Sequence, residues 1–176
     1  MTPFRDLLKV YPRSTPAEEQ RRASEGLADA VKQSNLRWWR SRELVPGQGS
    51  CLLLAVAPHS QYDLVLLDLL DERLSDSSPV PIYVVNLQDY ETPECLGAEF
   101  PGADQVHQTP IAALYESGTL KKVAWGKQAR DLAAEAVGYS TDELSRRVVS
   151  ESPSYANSGV SRTASPPTAN TPKAAQ

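Results

Sequence analysis

The 176 residues of this chain fit one domain with extensions, and its longest uncharged apolar run, Cys51 to Pro58, is far short of the roughly 20 residues that a membrane helix needs. The formal charge of −4 is unevenly spread: residues 1–45 carry 6 acidic and 9 basic side chains, residues 46–140 carry 13 and 5. An acidic middle argues against nucleic-acid binding there, because phosphate contacts need Lys and Arg.

The N-terminal MTPFRDLLKVYPRS interrupts its apolar residues with an Asp and two Arg. It has no continuous apolar core of a signal peptide, so a cytoplasmic location is expected. A short helical piece is predicted over Phe4–Val10, followed by a Pro-bounded loop. Thr15 is placed to cap a second helix, with Pro16 at its first position and Glu18 three residues after the cap. That helix runs to about Ser34, with Ala23, Leu27, Ala30 and Val31 at helical spacing. Next come Leu36, Trp38, Trp39 and Leu44, interleaved with Arg37, Arg40 and Arg42. Trp38, Trp39 and Arg40 are a candidate interaction surface; the commoner role of such rings is to pack an extension onto its domain. Pro46-Gly-Gln-Gly49 is a strong turn and marks the domain boundary.

Cys51–Ala57 is a short continuous apolar run, the pattern of a buried parallel strand. Pro58-His59-Ser60-Gln61 breaks it. Tyr62–Leu74 follows as a helix, with Leu66, Leu67, Leu70 and Leu74 inward and Asp63, Asp68, Asp71 and Glu72 toward solvent. A loop spans Asp76–Pro79, and Pro81–Leu87 is a second buried strand, completing a right-handed βαβ unit. Thr92–Glu99 is a short helix capped by Thr92. Ile111–Tyr115, the turn Glu116-Ser-Gly118 and Leu120–Trp125 make a hairpin. Gly126 ends it. Lys127–Val137 is a helix closed by Gly138, and Thr141–Val149 is another. From residue 150 onward the chain is Ser, Pro, Thr, Ala and Asn with few large apolar residues, and is expected to be disordered. The resulting division is an N-terminal helical extension (1–46), a domain (47–149) and a tail (150–176).

Two segments carry a resemblance. Gln108-Thr-Pro-Ile-Ala-Ala-Leu-Tyr-Glu-Ser-Gly-Thr-Leu-Lys-Lys-Val-Ala-Trp-Gly126 resembles the cis-proline strand, turn, strand and glycine of thioredoxin-fold proteins. Ala57-Pro-His-Ser-Gln-Tyr-Asp63 is similar to their Ala-Pro-Trp-Cys-x-x-Cys segment. The resemblance covers about half the chain, Gly49 to Gly138. It implies an α/β fold of thioredoxin-like type, three layers α/β/α around a mixed sheet of four to five strands. By that alignment Ser60 replaces the attacking cysteine, Asp63 the resolving cysteine and His59 the tryptophan. Leu54 stands where many relatives keep a buried acid. Thiol–disulfide exchange needs a thiolate and a second thiol, so no dithiol oxidoreductase activity is expected. Pro110 survives, and the resemblance implies a peptide- or protein-binding groove formed by His59, Ser60, Asp63, Thr109 and Pro110. Pro110 acting only to shape the turn into its strand is the plainer alternative.

Other patterns carry less. His59, Ser60 and Asp63 are too close in sequence to arrange a nucleophile, base and orienting acid in series. His107 is an ordinary loop histidine. Cys51 and Cys95 form no CxxC pair, and with two scattered histidines they make no zinc site. No metal or cofactor is expected. Cys51 opens a buried strand and should be inert. Cys95, in a polar stretch, is a candidate reactive thiol, though no basic residue lies beside it to lower its pKa. The leading functional expectation is a non-catalytic protein-binding or assembly module that uses the Pro110 edge, the Trp38–Arg40 segment, or both. The alternatives are a single-cysteine redox protein acting through Cys95 and a glutathione-binding domain.

Overall fold

The computed structural model describes residues 3–7, 16–40, 47–74, 80–103 and 108–152. Residues 8–10 of the first predicted helix, Thr15, Arg42, Leu44 and Pro46, the loop at 76–79, His107 and residues 153–176 of the tail lie outside that set. Five strands form one mixed sheet in the order β1-β3-β2-β4-β5. They are β1 (Arg37–Trp38), β2 (Ser50–Val56), β3 (Ile82–Asn86), β4 (Ile111–Glu116) and β5 (Thr119–Trp125). The helices are α1 (Pro3–Asp6), α2 (Pro16–Lys32), α3 (Gln61–Arg73), α4 (Pro93–Glu99), α5 (Gly126–Ala136) and α6 (Thr141–Glu151). The architecture is mixed α/β and compatible with a thioredoxin-like fold.

β2 is the centre. It runs parallel to β3, with Leu54 opposite Val84, and antiparallel to β4, with Leu52 opposite Leu114. Its unbroken apolar sequence is required because both faces are covered. Leu52, Leu54 and Val56 join Ile82, Val84, Ala112 and Ala124 in a core packed under α1, α2, α3, α5 and α6. Cys51, Leu53 and Ala55 face the other way with Tyr83, Val85, Ile111, Ala113 and Tyr115, packed against Phe100 and Ala103 beyond α4. Each fully buried Leu contributes on the order of 2 kcal/mol.

The short hairpin between β4 and β5 places Ser117 at φ 48° and Gly118 at φ 74°. Two successive positive φ values suit the twist of a two-residue hairpin loop, and the second position is readily filled by Gly. Gly138 follows α5, and the Tyr139 amide donates to the Ala134 carbonyl at 2.8 Å.

Three features differ from the sequence reading. Arg37–Trp38, assigned to a helical extension, forms edge strand β1 and pairs with Tyr83–Val84 of β3. Residues 150 and 151, assigned to the tail, belong to α6, and Ser152 beyond them is buried. Asp63 and Asp68, expected on a solvated face, are 1% and 0% exposed. The reason is that α3 is covered on both sides: the sheet lies beneath it, and α1 and α6 pack over it. Eight consecutive residues, Asp63–Leu70, are buried in consequence.

Asp68 is matched in that second layer by Arg5 of α1. Arg5 also pairs with Glu151 of α6, and Arg147 pairs with both Glu151 (2.6 Å) and Glu72 of α3 (3.2 Å). The first and last helices are thereby tied to α3 by one continuous chain of charges.

Candidate functional site

β2 ends at Val56, and the chain turns through Pro58 and His59, closed by the Ser60 amide donating to the Ala57 carbonyl at 2.9 Å. Ser60 then caps α3: its Oγ accepts from the Asp63 amide at 3.3 Å. A hydroxyl at this position satisfies a backbone donor that the helix cannot satisfy itself. β4 starts beside the end of β2, with Ile111 opposite Ala55, so Thr109 and Pro110 arrive next to this turn. The Thr109–Pro110 bond is cis. The Gly126 amide donates to the Pro110 carbonyl at 2.8 Å. Gly126 has φ 56°, and a Cβ built there would lie 2.7 Å from Oε1 of Gln108. Any side chain at 126 would therefore press on the residue two before Pro110.

Asp63 lies at the centre of this arrangement. Its Oδ2 accepts from the Ala57 amide at 2.9 Å, while Oδ1 has no hydrogen-bond partner among the described residues. Burial pushes its pKa up to about 6; the Ala57 amide, the Thr109 and Ser60 hydroxyls and the charge of Arg130 act against that rise. Arg130, four residues into α5 from Gly126, has a buried Nε that also has no hydrogen-bond partner among the described residues. The structure thus brings Ser60, Asp63, Thr109 and Pro110 together, with the charge of Arg130 nearby.

His59 is exposed beside this cluster. Its Nδ1 lies 3.4 Å from Nε2 of Gln88, whose Oε1 accepts from the Ser24 hydroxyl of α2. With the imidazole against Gln88 and the Ser60 hydroxyl engaged at the helix cap, the geometry is not that of a Ser-His-Asp triad. Among the described residues no group of three or more His, Cys, Asp or Glu is placed to hold a metal ion.

The paired tryptophans do not form the surface they suggest in sequence. Trp39 is 7% exposed, stacks edge-on to Tyr83 at 5.9 Å between ring centroids, and donates its indole N–H to Glu99 at 2.8 Å. Trp38 is half-buried and packs against the core, leaving Arg40 exposed. The rings sit inside because β1 is a strand of the sheet. Glu99 also accepts from the Tyr90 hydroxyl, and its backbone carbonyl accepts from the Tyr115 hydroxyl at 3.2 Å. These bonds pin α4 to the sheet. Cys95 is exposed in the first turn of α4, its amide donating to Thr92 Oγ1 at 3.4 Å. Cys51 is buried, and burial raises its pKa.

Three residues of this region were not among the site candidates drawn from the sequence. Tyr62 and Trp125 are 53% and 40% exposed, and with Val149 they are the exposed large apolar side chains among the described residues. Tyr62 precedes Asp63, and Trp125 precedes Gly126. Arg130 was legible in principle, since a residue four beyond Gly126 on a helix shares its face. Among the described residues no helix is long and apolar enough to cross a membrane. No family model, no curated protein and no solved structure matches this chain.

Proposed function

We propose that this chain is a redox-inactive member of the thioredoxin-like superfamily that binds a protein or peptide at the Thr109–Pro110 end of its sheet. The observation that carries this reading is the placement of exposed aromatic surface. Two of the exposed large apolar side chains, Tyr62 and Trp125, neighbour Asp63 and Gly126, the two residues that contact Thr109 and Pro110. Exposed aromatic rings are characteristic of contact surfaces. The groups at the two former thiol positions support the non-catalytic half of the reading. The Ser60 hydroxyl caps α3, and the Asp63 carboxylate binds the Ala57 amide. Both are used to hold the start of the helix, and neither can exchange a disulfide.

Photo-crosslinking tests the binding half. A benzoylphenylalanine in place of Tyr62, in the full chain produced in its own cells, is expected to give a discrete adduct with another polypeptide. The same probe at exposed Glu135, at the far end of α5, is expected to give none. Trp125→Ala should cut the Tyr62 adduct on the order of five-fold, about the loss of a 1 kcal/mol anchor. An adduct equally strong from both positions, or from neither, would count against binding at this end of the sheet.

A further inference from the structure

Within the acidic stretch 46–140, four of the five basic residues fall in the ten positions Lys121–Arg130. The fifth, Arg73, lies over the Tyr139 ring. The four sit on β5 and the first five residues of α5, the strand being the outer edge of the sheet. Lys127 is engaged with Asp131 at 2.7 Å, and the charge of Arg130 acts on Asp63. Lys121 and Lys122 are both exposed and have no ion pair among the described residues. The ladder slips between Leu114 and Tyr115, pairing Leu120 and then Lys122 with β4 and leaving Lys121 as an extra, unpaired residue. A bulge of this kind re-aims a side chain at a sheet edge. Trp125, 40% exposed, closes the same edge three residues on.

We propose that the β5 edge, through Lys121, Lys122 and Trp125, docks an acidic segment of a partner protein that also carries an apolar residue for the tryptophan. This rests on the binding role assigned above and adds the chemistry of the partner. Charge complementarity selects the occupant. Within 46–140 an acidic segment is repelled by most of the surface and attracted at this strip, which favours its docking there. A nucleic acid fits less well, because it carries a charge at every nucleotide and would meet the acidic surface on either side of the two lysines. Lysines on an edge strand also serve simply to discourage edge-to-edge pairing; that role alone gives no affinity for acidic peptides.

The test uses the full chain and a fluorescein-labelled 12-residue peptide of Asp and Glu with a central Leu, read by anisotropy. Binding is expected at low salt, weakening steeply as salt rises, and falling at least about ten-fold in Lys121→Glu/Lys122→Glu and several-fold in Trp125→Ala, the latter being the contribution of one aromatic anchor. Both sites are exposed, and unchanged melting curves will establish that the variants fold. The proposal is overturned if the wild type ignores the peptide, if the charge reversal leaves binding intact, or if an Asn/Gln version binds equally well. Tighter binding of a 12-nucleotide single strand would overturn it in favour of a phosphate site, and concentration-dependent self-association abolished by the reversal would do so in favour of a second copy. A Tyr62 crosslink that survives the charge reversal would remove this proposal and leave the binding role standing. Peptide binding without a Tyr62 crosslink would do the opposite.

Discussion

Asp63→Asn is expected to stabilise the protein at pH 7.5 by about 1–2 kcal/mol and to leave stability at pH 4 nearly unchanged. Asp63 is 1% exposed, and burial raises its pKa from 3.8 to about 6. In the unfolded chain the group ionises at its ordinary value, so between those two pH values the folded state holds the proton more tightly. The stability it supplies is complete below about pH 4 and is lost as pH rises through 6. A shift of about two units corresponds to roughly 3 kcal/mol of destabilisation at neutral pH. The amide keeps an oxygen for the Ala57 N–H but gives up the stronger charged hydrogen bond and the attraction to Arg130, and the net gain is smaller for that reason. For a chain of this size the gain corresponds to a melting temperature higher by about 3–6 °C. Thermal unfolding of wild type and variant at the two pH values measures it. A variant less stable at pH 7.5, or equally shifted at both pH values, contradicts the assignment of Asp63 as a strained buried carboxylate.

Arg5→Ala is expected to cost more, about 2–4 kcal/mol. Asp68 is fully buried, its Oδ1 has no hydrogen-bond partner among the described residues, and Arg5 is the cation against it. Removing one member of such a pair leaves a buried charge uncompensated, which commonly costs 3–5 kcal/mol. The Arg5 side chain is 38% exposed, so solvent screens part of the interaction and the lower range applies. Because Arg5 also holds Glu151, both α1 and α6 should loosen from α3. Replacing the pair by Arg5→Met with Asp68→Leu should recover most of the loss, since apolar groups of similar volume need no charge partner. Urea unfolding of the three proteins distinguishes the cases. An Arg5→Ala variant within 0.5 kcal/mol of wild type, the scale of an ordinary surface change, would mean that α1 does not clamp α3.

The elements were legible wherever local chemistry determines them. Cys51–Ala57 announced a doubly buried strand through composition alone, and Thr92, Gly118 and Gly138 marked a cap, a turn and a helix end through their backbone requirements. The order of strands and helices after Gly49 was readable for the same reason. What could not be read was set by contacts distant in sequence. Asp63 and Asp68 look like solvent residues on α3 because nothing near them announces that α1 and α6 will cover the helix. The Arg5–Asp68 pair spans 63 positions. Trp38 and Trp39 resembled a surface because a two-residue edge strand leaves almost no periodic signal. At the candidate site, Ser60, Asp63, Thr109 and Pro110 came from the alignment of two segments, whereas Tyr62 and Trp125 emerged only from their exposure. Arg130 needed the knowledge that α5 starts at Gly126, against the Pro110 carbonyl.

α3 begins with a capping hydroxyl, Ser60, and a buried carboxylate, Asp63, at the two positions that the proposed thioredoxin-like relationship assigns to a dithiol. The double variant Ser60→Cys/Asp63→Cys tests that relationship most directly, because it places a Cys-x-x-Cys pair at the start of a helix, where thiolates are favoured. The variant is expected to lose two hydrogen masses on mild oxidation by forming an internal disulfide, and to reduce insulin with dithiothreitol above the uncatalysed rate, while the wild type stays at that rate. Insulin reduction by the wild type, or a double variant whose two new thiols fail to join, would contradict the account.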